Sequence, residues 1–328
     1  MRIAIFGGTS QIAKDLILSF SACTNHELVV FARRPEELSQ WLETSGIAGK
    51  YSVLNFAALD MAQSFDVIIN FVGVGDPAVA AAMGSSIFDV TLKFDELALN
   101  YLRRRPECRY IFLSSGAAYG IKFDEPVTEK TKSIFSINTV QPQDWYGVAK
   151  LHAECRHRAL SHLPIVDIRV FNYFSHTQDI SARFFITDIL RAIQSRETLM
   201  TTPENIFRDY IGPDDFFKLI SLILESPVTN DVFDCYTKAP VDKITLLSKM
   251  EEHFGLSYAM HKEPVSINAT GIKLNYFSQN FRASTLGYVP SLNSLETIFK
   301  ESEKLLINWR IQVRSATLTN RNKEAEDV

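Results

Sequence analysis

Near its start the chain runs RIAIFGGTSQIAKDLILSF, a short apolar run joined by two glycines to an amphipathic stretch. A buried strand, a tight turn and a helix are the unit this pattern predicts. A strand buried on both faces reads as a continuous apolar run, and such strands belong to parallel sheets covered by helices. Four later segments have the same character: HELVVFARR, YSVLNF, DVIINFVGVG and RYIFLSSG, with helical stretches between several of them. PIVDIRVFNYF adds a sixth strand. Strands alternating with helices predict an α/β fold.

The turn after the first strand refines that expectation. Gly7, Ser10 and Ala13 stand at the spacing of a Gly-x-x-Gly-x-x-Gly loop, with only the first a glycine. The physical demand is a tight turn that aims the free N–H groups of a helix N-terminus at a pyrophosphate. Gly7 and Gly8 supply the turn, the small Ser10 brings a hydroxyl, and Ala13 permits close packing of helix on strand. Gly7, Thr9, Ser10, Gln11 and Ile12 are therefore the expected phosphate-side contacts. A Gly-Gly-Thr turn can also be no more than a turn and a cap; its place directly after the first strand favours the cofactor reading. A Rossmann-type doubly wound parallel sheet is expected over 1–172, joined by part of 205–236.

Beyond Tyr173 the alternation loosens. ISARFFITDILRAIQS, ITLLSKMEEHF and LNSLETIFKESEKLLINW read as amphipathic helices. NIFRDYIGPDDFFKLISLIL reads as a short strand leading into a helix, and DVFDCYT as a strand. Residues 173–314 are expected to form a smaller, mainly substrate-binding part over the carboxyl edge of the sheet, where ligands of open α/β sheets bind. Residues 315–328 are a polar tail.

Composition excludes several alternatives. At 46% hydrophobic and 22% charged, the chain has an ordinary globular make-up. A formal net charge of −4 argues against a nucleic-acid coat. The run Arg103-Arg104-Arg105 fits a solvated helix C-terminus, where cations complement the dipole. Four scattered cysteines suit free thiols, and seven histidines show no ligand spacing, so no metal is expected. No apolar run reaches membrane-spanning length, and the first residues enter a strand without a targeting pattern. A cytoplasmic setting is the expectation.

The end of the second strand bears on cofactor choice. A carboxylate there would take the adenosine-ribose hydroxyls of NAD, whereas an Arg suits a 2′-phosphate. Here Phe31-Ala32 is followed by Arg33 and Arg34, with no acid before Glu36. NADP(H) is the preferred cofactor on this reading, with NAD as the other option.

The stretch DWYGVAKLHAECRHRAL places Tyr146 and Lys150 one helical turn apart on one face. Alone, that spacing does not separate an activated tyrosine from an ordinary amphipathic helix. Taken with LSSGAAYG (113–120), RVFN (169–172) and RDYIGPDD (208–215), in this order over roughly residues 1 to 235, it resembles the extended short-chain dehydrogenases. More narrowly it resembles the NAD(P)-dependent epimerase/dehydratase family acting on nucleotide sugars.

That resemblance implies roles. Ser115, rather than Ser114, would bond the reacting oxygen, Tyr146 would give or take the proton, and Lys150 would hold the nicotinamide ribose. Phe71, Val72 and Gly73 of NFVG would line the cofactor. Asn172, Arg208 and Tyr210 would face the nucleotide diphosphate, although Arg208 has Asp209 and Asp214 as nearby candidates for a structural ion pair. A free tyrosine titrates near 10, and an ammonium beside it is expected to favour the phenolate. The family's dehydratases carry an acidic pair after the serine, its decarboxylating members a Glu, and its 3,5-epimerising reductases a Cys. Gly116 and Ala117 stand here instead, which disfavours those reactions. The resemblance thus implies an NADPH-dependent reductase of a keto nucleotide sugar, of the 4-keto-6-deoxy type. The alternatives are a C4 epimerase with a retained cofactor and a dinucleotide-binding regulator with a dead site. A homodimer packed through the helix of Tyr146 is also implied.

Overall fold

Strand β1 (Arg2–Phe6) is buried at every position after Arg2, as its apolar run requires. The structure is a computed structural model, which describes residues 1–73, 77–120, 122–227, 229–261 and 273–309. The Gly7-Gly8 turn follows β1, and both of its N–H groups donate to the Phe31 carbonyl, at 2.9 and 3.1 Å. Helix α1 (Gln11–Cys23) then begins under a Ser10 cap that accepts from the Ala13 N–H.

The alternation continues through β2 (Glu27–Ala32), α2 (Pro35–Thr44), β3 (Ser52–Asn55), β4 (Val67–Asn70), α3 (Pro77–Met83) and α4 (Ser86–Arg104). It closes with β5 (Arg109–Ser115), α5 (Pro142–Ala159) and β6 (Ile165–Val170). Next come β7 (Asn172–Tyr173), α6 (Phe185–Ser195), β8 (Thr198–Thr201), β9 (Phe207–Arg208), β10 (Tyr210–Ile211) and α7 (Pro213–Glu225). The remainder is β11 (Asp231–Asp234), β12 (Val241–Asp242), α8 (Lys243–Phe254), β13 (Ser257–Met260), β14 (Asn275–Tyr276) and a last helix, α9 (294–309).

Seven strands form one sheet in the order β11-β6-β5-β4-β1-β2-β3, and every neighbouring pair is parallel. The six strands expected up to β6 are all present, and β11 adds the edge. The order reverses between β1 and β4, which opens a crevice at their carboxyl ends. One sheet face is covered by an apolar cluster including Leu16, Ile17, Phe20, Phe216 and Ile220 of α1 and α7. The other is covered by Ala98, Leu99, Leu102 and Ala153 of α4 and α5. Burying such side chains stabilises by about 1.5–3 kcal/mol each.

Three small strand groupings carry the rest. β7 pairs with β10, β13 with β8, and β9 lies between β12 and β14. A separate apolar cluster, with Phe174, Ile189, Leu247, Met250 and Ile298, fills the part built from α6, α8 and α9. The expected polar tail, 315–328, lies outside the described residues.

Candidate active site

β5 ends on two serines whose side chains alternate across the sheet. Ser114 bonds Glu154 of α5 at 2.5 Å and is buried. Ser115 accepts from the Ala117 N–H at 3.2 Å and lies 3.3 Å from the Tyr276 hydroxyl. The two serines thus have different partners, Ser114 on the α5 side and Ser115 toward Tyr276.

Helix α5 starts at Pro142 with a capping box, in which the Gln141 N–H donates to Asp144 at 2.9 Å. Gly147 lets this helix lie against the turn after β5. A Cβ there would come within 2.5 Å of the Ala117 carbonyl oxygen. That close approach sets Tyr146 near Ser115, whose hydroxyl lowers the phenol's pKa as a hydrogen-bond partner.

One turn on, the Lys150 ammonium donates to the Leu113 carbonyl at 2.6 Å. It lies 4.4 Å from the Phe112 ring centroid and 5.8 Å from that of Tyr146. Burial depresses Lys150 to about 8, against the opposing pull of Glu154, Asp95 and Asp167. Burial likewise raises the Tyr146 phenol, and the Ser115 bond works the other way. The lowered phenol pKa expected from the neighbouring ammonium is therefore not what this arrangement gives. Desolvation sets the direction, and the ammonium is bound to the Leu113 carbonyl, 5.8 Å from the phenol ring centroid.

The same crevice holds the expected cofactor side. Gly7 has φ +80°, and a Cβ on it would meet the Val72 nitrogen at 2.9 Å, so the turn after β1 touches the strand-four motif. The Val72 N–H donates to Asn70 at 2.9 Å, and Phe71 is buried. A Cβ on Gly73 would come within 3.3 Å of the Lys150 ammonium. Thr9 is exposed, while Ile12 packs on the core below the turn. Ser10 is used as the helix cap, and the Gln11 amide donates to Ser175 at 2.9 Å. These glycine-lined surfaces, ending on a helix N-terminus, fit a dinucleotide pyrophosphate.

Arg33 and Arg34 are both exposed beyond β2. Arg34 pairs with Glu37 at 2.7 Å, and the Arg33 carbonyl accepts from Asn55 at 3.2 Å. Among the described residues no carboxylate pairs with the Arg33 side chain.

On the substrate side, Arg208 donates to the carbonyls of Phe207 and Lys273, both at 2.7 Å. Neither of the two candidate ion pairs for Arg208 is formed, because both carboxylates are engaged elsewhere. Asp209 is held by Thr237 and Ser294, and Asp214 by Lys300. Asn172 ties β7 to its neighbours, donating to the carbonyls of Asp209 and Tyr276 at 3.2 and 3.4 Å. Tyr210 is buried in the C-terminal apolar cluster.

Two residues that the sequence did not single out complete this side. Lys273 lies 4.5 Å from the Tyr276 ring centroid and 5.1 Å from that of Phe123. Burial, and then repulsion from Arg208, lowers Lys273 to about 8. Asp144 attracts it from beyond ion-pair distance. Tyr276 is bracketed by Phe123 and Phe171 at 4.8 and 5.1 Å. Among the described residues no group of three or more His, Cys, Asp or Glu is arranged to hold a metal ion.

The model of the NAD dependent epimerase/dehydratase family matches residues 3–236, most of the chain. The chain belongs to this family. Solved structures share its fold. The UDP-glucuronic acid 4-epimerase of Bacillus cereus, in complex with NAD, is 17% identical with a TM-score of 0.74, over 94% of this chain and 100% of that one. The UDP-glucose 4-epimerase of Thermotoga maritima, with UDP-glucose, gives 16% and 0.75 over 94% and 100%. The dTDP-glucose 4,6-dehydratase of Bacillus anthracis, in complex with NAD, gives 13% and 0.72 over 94% and 97%. No curated protein matches by sequence.

Gly116 packs directly against the Phe171 ring. A Cβ at Gly116 would lie 2.4 Å from the Phe171 ring, so the space that an acidic or thiol side chain would need is filled.

Proposed function

We propose that the protein reduces the keto group of a nucleotide-linked sugar, of the 4-keto-6-deoxy type, with NADPH. The substrate class is supported by one observation above all. Arg208 and Lys273 lie together beside Tyr276 with no carboxylate paired to either among the described residues. Two part-buried cations that repel each other favour a dianion, and a diphosphate suits a guanidinium fork beside an ammonium. Asn172 contributes to this surface by holding the Tyr276 backbone in place.

The Gly7-Gly8 turn and the N-terminus of α1 would hold a nicotinamide cofactor, which would supply the hydride that the carbonyl carbon accepts. The carbonyl π electrons move to oxygen, and Tyr146 delivers its proton there, so that a hydroxyl results. Ser115 bonds the same oxygen and steadies the developing negative charge. Lys150, whose ammonium lies 5.8 Å from the Tyr146 ring centroid, would bind the nicotinamide ribose. Burial keeps Tyr146 protonated, which suits a proton donor in the reductive direction. NADPH over NADH is supported by Arg33 and Arg34 at the end of β2, where no acid stands to meet ribose hydroxyls.

A second reading, a C4 epimerase with retained NAD, is favoured by the fold neighbours, which include UDP-sugar 4-epimerases. The deciding experiment has two arms. The purified protein is assayed for NADPH oxidation against nucleotide-linked 4-keto sugars, and for epimer interconversion with no cofactor added. NADPH consumption matched by hydroxyl product supports the reductase. A protein that arrives loaded with NAD and interconverts epimers without net NADPH consumption is the epimerase.

A further inference from the structure

Ser115 has one proton to donate and two lone pairs to accept with. The Ala117 N–H approaches one lone pair at 3.2 Å. The Tyr276 phenol oxygen lies 3.3 Å away, at hydrogen-bond distance. That phenol is part-buried. Its own proton therefore needs an acceptor, and Ser115 is the hydroxyl within reach.

We propose that Tyr276 is a positioning residue of the reaction centre, whose hydroxyl donates to Ser115 and so fixes Ser115 as a donor toward Tyr146 and the reacting oxygen. With both lone pairs occupied, Ser115 has only its proton left to offer. The chain of hydrogen bonds then runs one way, from Tyr276 to Ser115 to the Tyr146 oxygen. Tyr146 keeps its own proton for the substrate instead of giving it to Ser115. When a keto oxygen is bound, the same donor is already aimed at it.

Burial, the largest effect, raises the Tyr276 phenol against the Ser115 bond, with the Tyr146 charge adding to the rise, so the phenol keeps a proton to donate. The Ser115 bond lowers the Tyr146 phenol against the effect of its burial. The other charged groups facing this trio are Lys150 of α5, Arg208 of β9 and Lys273 ahead of β14.

The proposal rests on Ser115 and Tyr146 being the acid–base pair of the proposed function, so its test uses a readout independent of turnover. The full chain is labelled with 13Cζ-tyrosine, and the Tyr146 resonance is assigned by its loss in Tyr146→Phe. Its titration is followed in the wild type, Tyr276→Phe, Ser115→Ala and the double variant. Phe at 276 keeps the ring contacts with Phe123 and Phe171. Losing the fixed donor should move the Tyr146 midpoint upward by about one pH unit, the size of one ordinary hydrogen bond. Ser115→Ala should give the same shift, and the double variant no more than either single. An unchanged midpoint in Tyr276→Phe, or shifts that add in the double variant, would overturn the proposal. If the shift appears and no nucleotide sugar is turned over, the proposed function fails and the positioning role stands. Turnover without the shift leaves the function standing and removes the positioning role.

Discussion

Arg208 and Lys273 are linked through the backbone as well as through charge. The Arg208 guanidinium donates to the Lys273 carbonyl at 2.7 Å, and both cations lie near the Tyr276 ring, at 5.8 and 4.5 Å. One is anchored by the very residue whose charge it repels. Such a pair resembles a clamp waiting for negative charge.

Nucleoside diphosphate binding should therefore weaken as the pH rises above about 8. Lys273 is lowered to about 8 by burial and then by Arg208, and a bound dianion would raise it again. Affinity is then flat below the free value and falls as Lys273 loses its proton. Calorimetric titration with UDP between pH 6.5 and 9.5 checks this, and Lys273→Met should flatten the profile. Arg208→Ala should mainly raise the substrate KM, because it removes binding shared by the ground and transition states. An unchanged KM would return Arg208 to a structural role.

Arg33→Ala should weaken NADPH much more than NADH. Arg34 is already paired with Glu37, so its replacement should matter less. Fluorescence titration with both cofactors decides, and equal losses for the two would remove the 2′-phosphate argument.

Tyr146→Phe should lower turnover by ~10²–10⁴-fold and leave fold and cofactor binding nearly intact, since only the hydroxyl is lost. Retention of more than about a tenth of the rate would mean that another group moves the proton. Lys150→Met should damage both binding and rate.

His157 makes a stability prediction. It is buried between Asp167 and Asp95, at 2.6 and 2.7 Å. Burial alone would depress it, but the two carboxylates outweigh that effect and raise it to about 9. Because the folded state binds the proton more tightly, the stabilisation is full below about 6.5 and is lost as the pH rises through about 9. Melting curves from pH 6 to 10 should show that decline. His157→Phe should remove it and cost about 3–5 kcal/mol, the usual result of breaking a buried ion pair from one side.

The sequence made the central sheet legible because parallel strands buried on both faces must be apolar throughout, as Val67–Asn70 and Arg2–Phe6 nearly are. Tyr146 and Lys150 were legible because the helix itself sets their spacing. Lys273 and Tyr276 were not. Tyr276 sits on a two-residue strand that pairs with Phe207–Arg208, far away in the chain, and two residues carry no periodicity. A lysine and a tyrosine in an irregular stretch look like surface until tertiary pairing buries them. The direction of the Tyr146 shift was also beyond reach, because burial is a property of the folded environment and leaves no mark in residue spacing.

The far end of α5 bears on what its near end can do. Glu154 is gripped by the Arg169 guanidinium of β6, and His157 is held by Asp95 of α4 and Asp167 of β6. These contacts fix both the rotation of the helix about its axis and its position along it. Lys150 and Tyr146 inherit that setting one and two turns before Glu154. Their geometry is therefore set by packing during folding. In the proposed reaction that leaves less to order on binding, which is the circumstance in which proximity contributes most to rate. A substitution at Glu154 would release Arg169 and also remove charge that acts on Lys150, loosening the aim of the phenol.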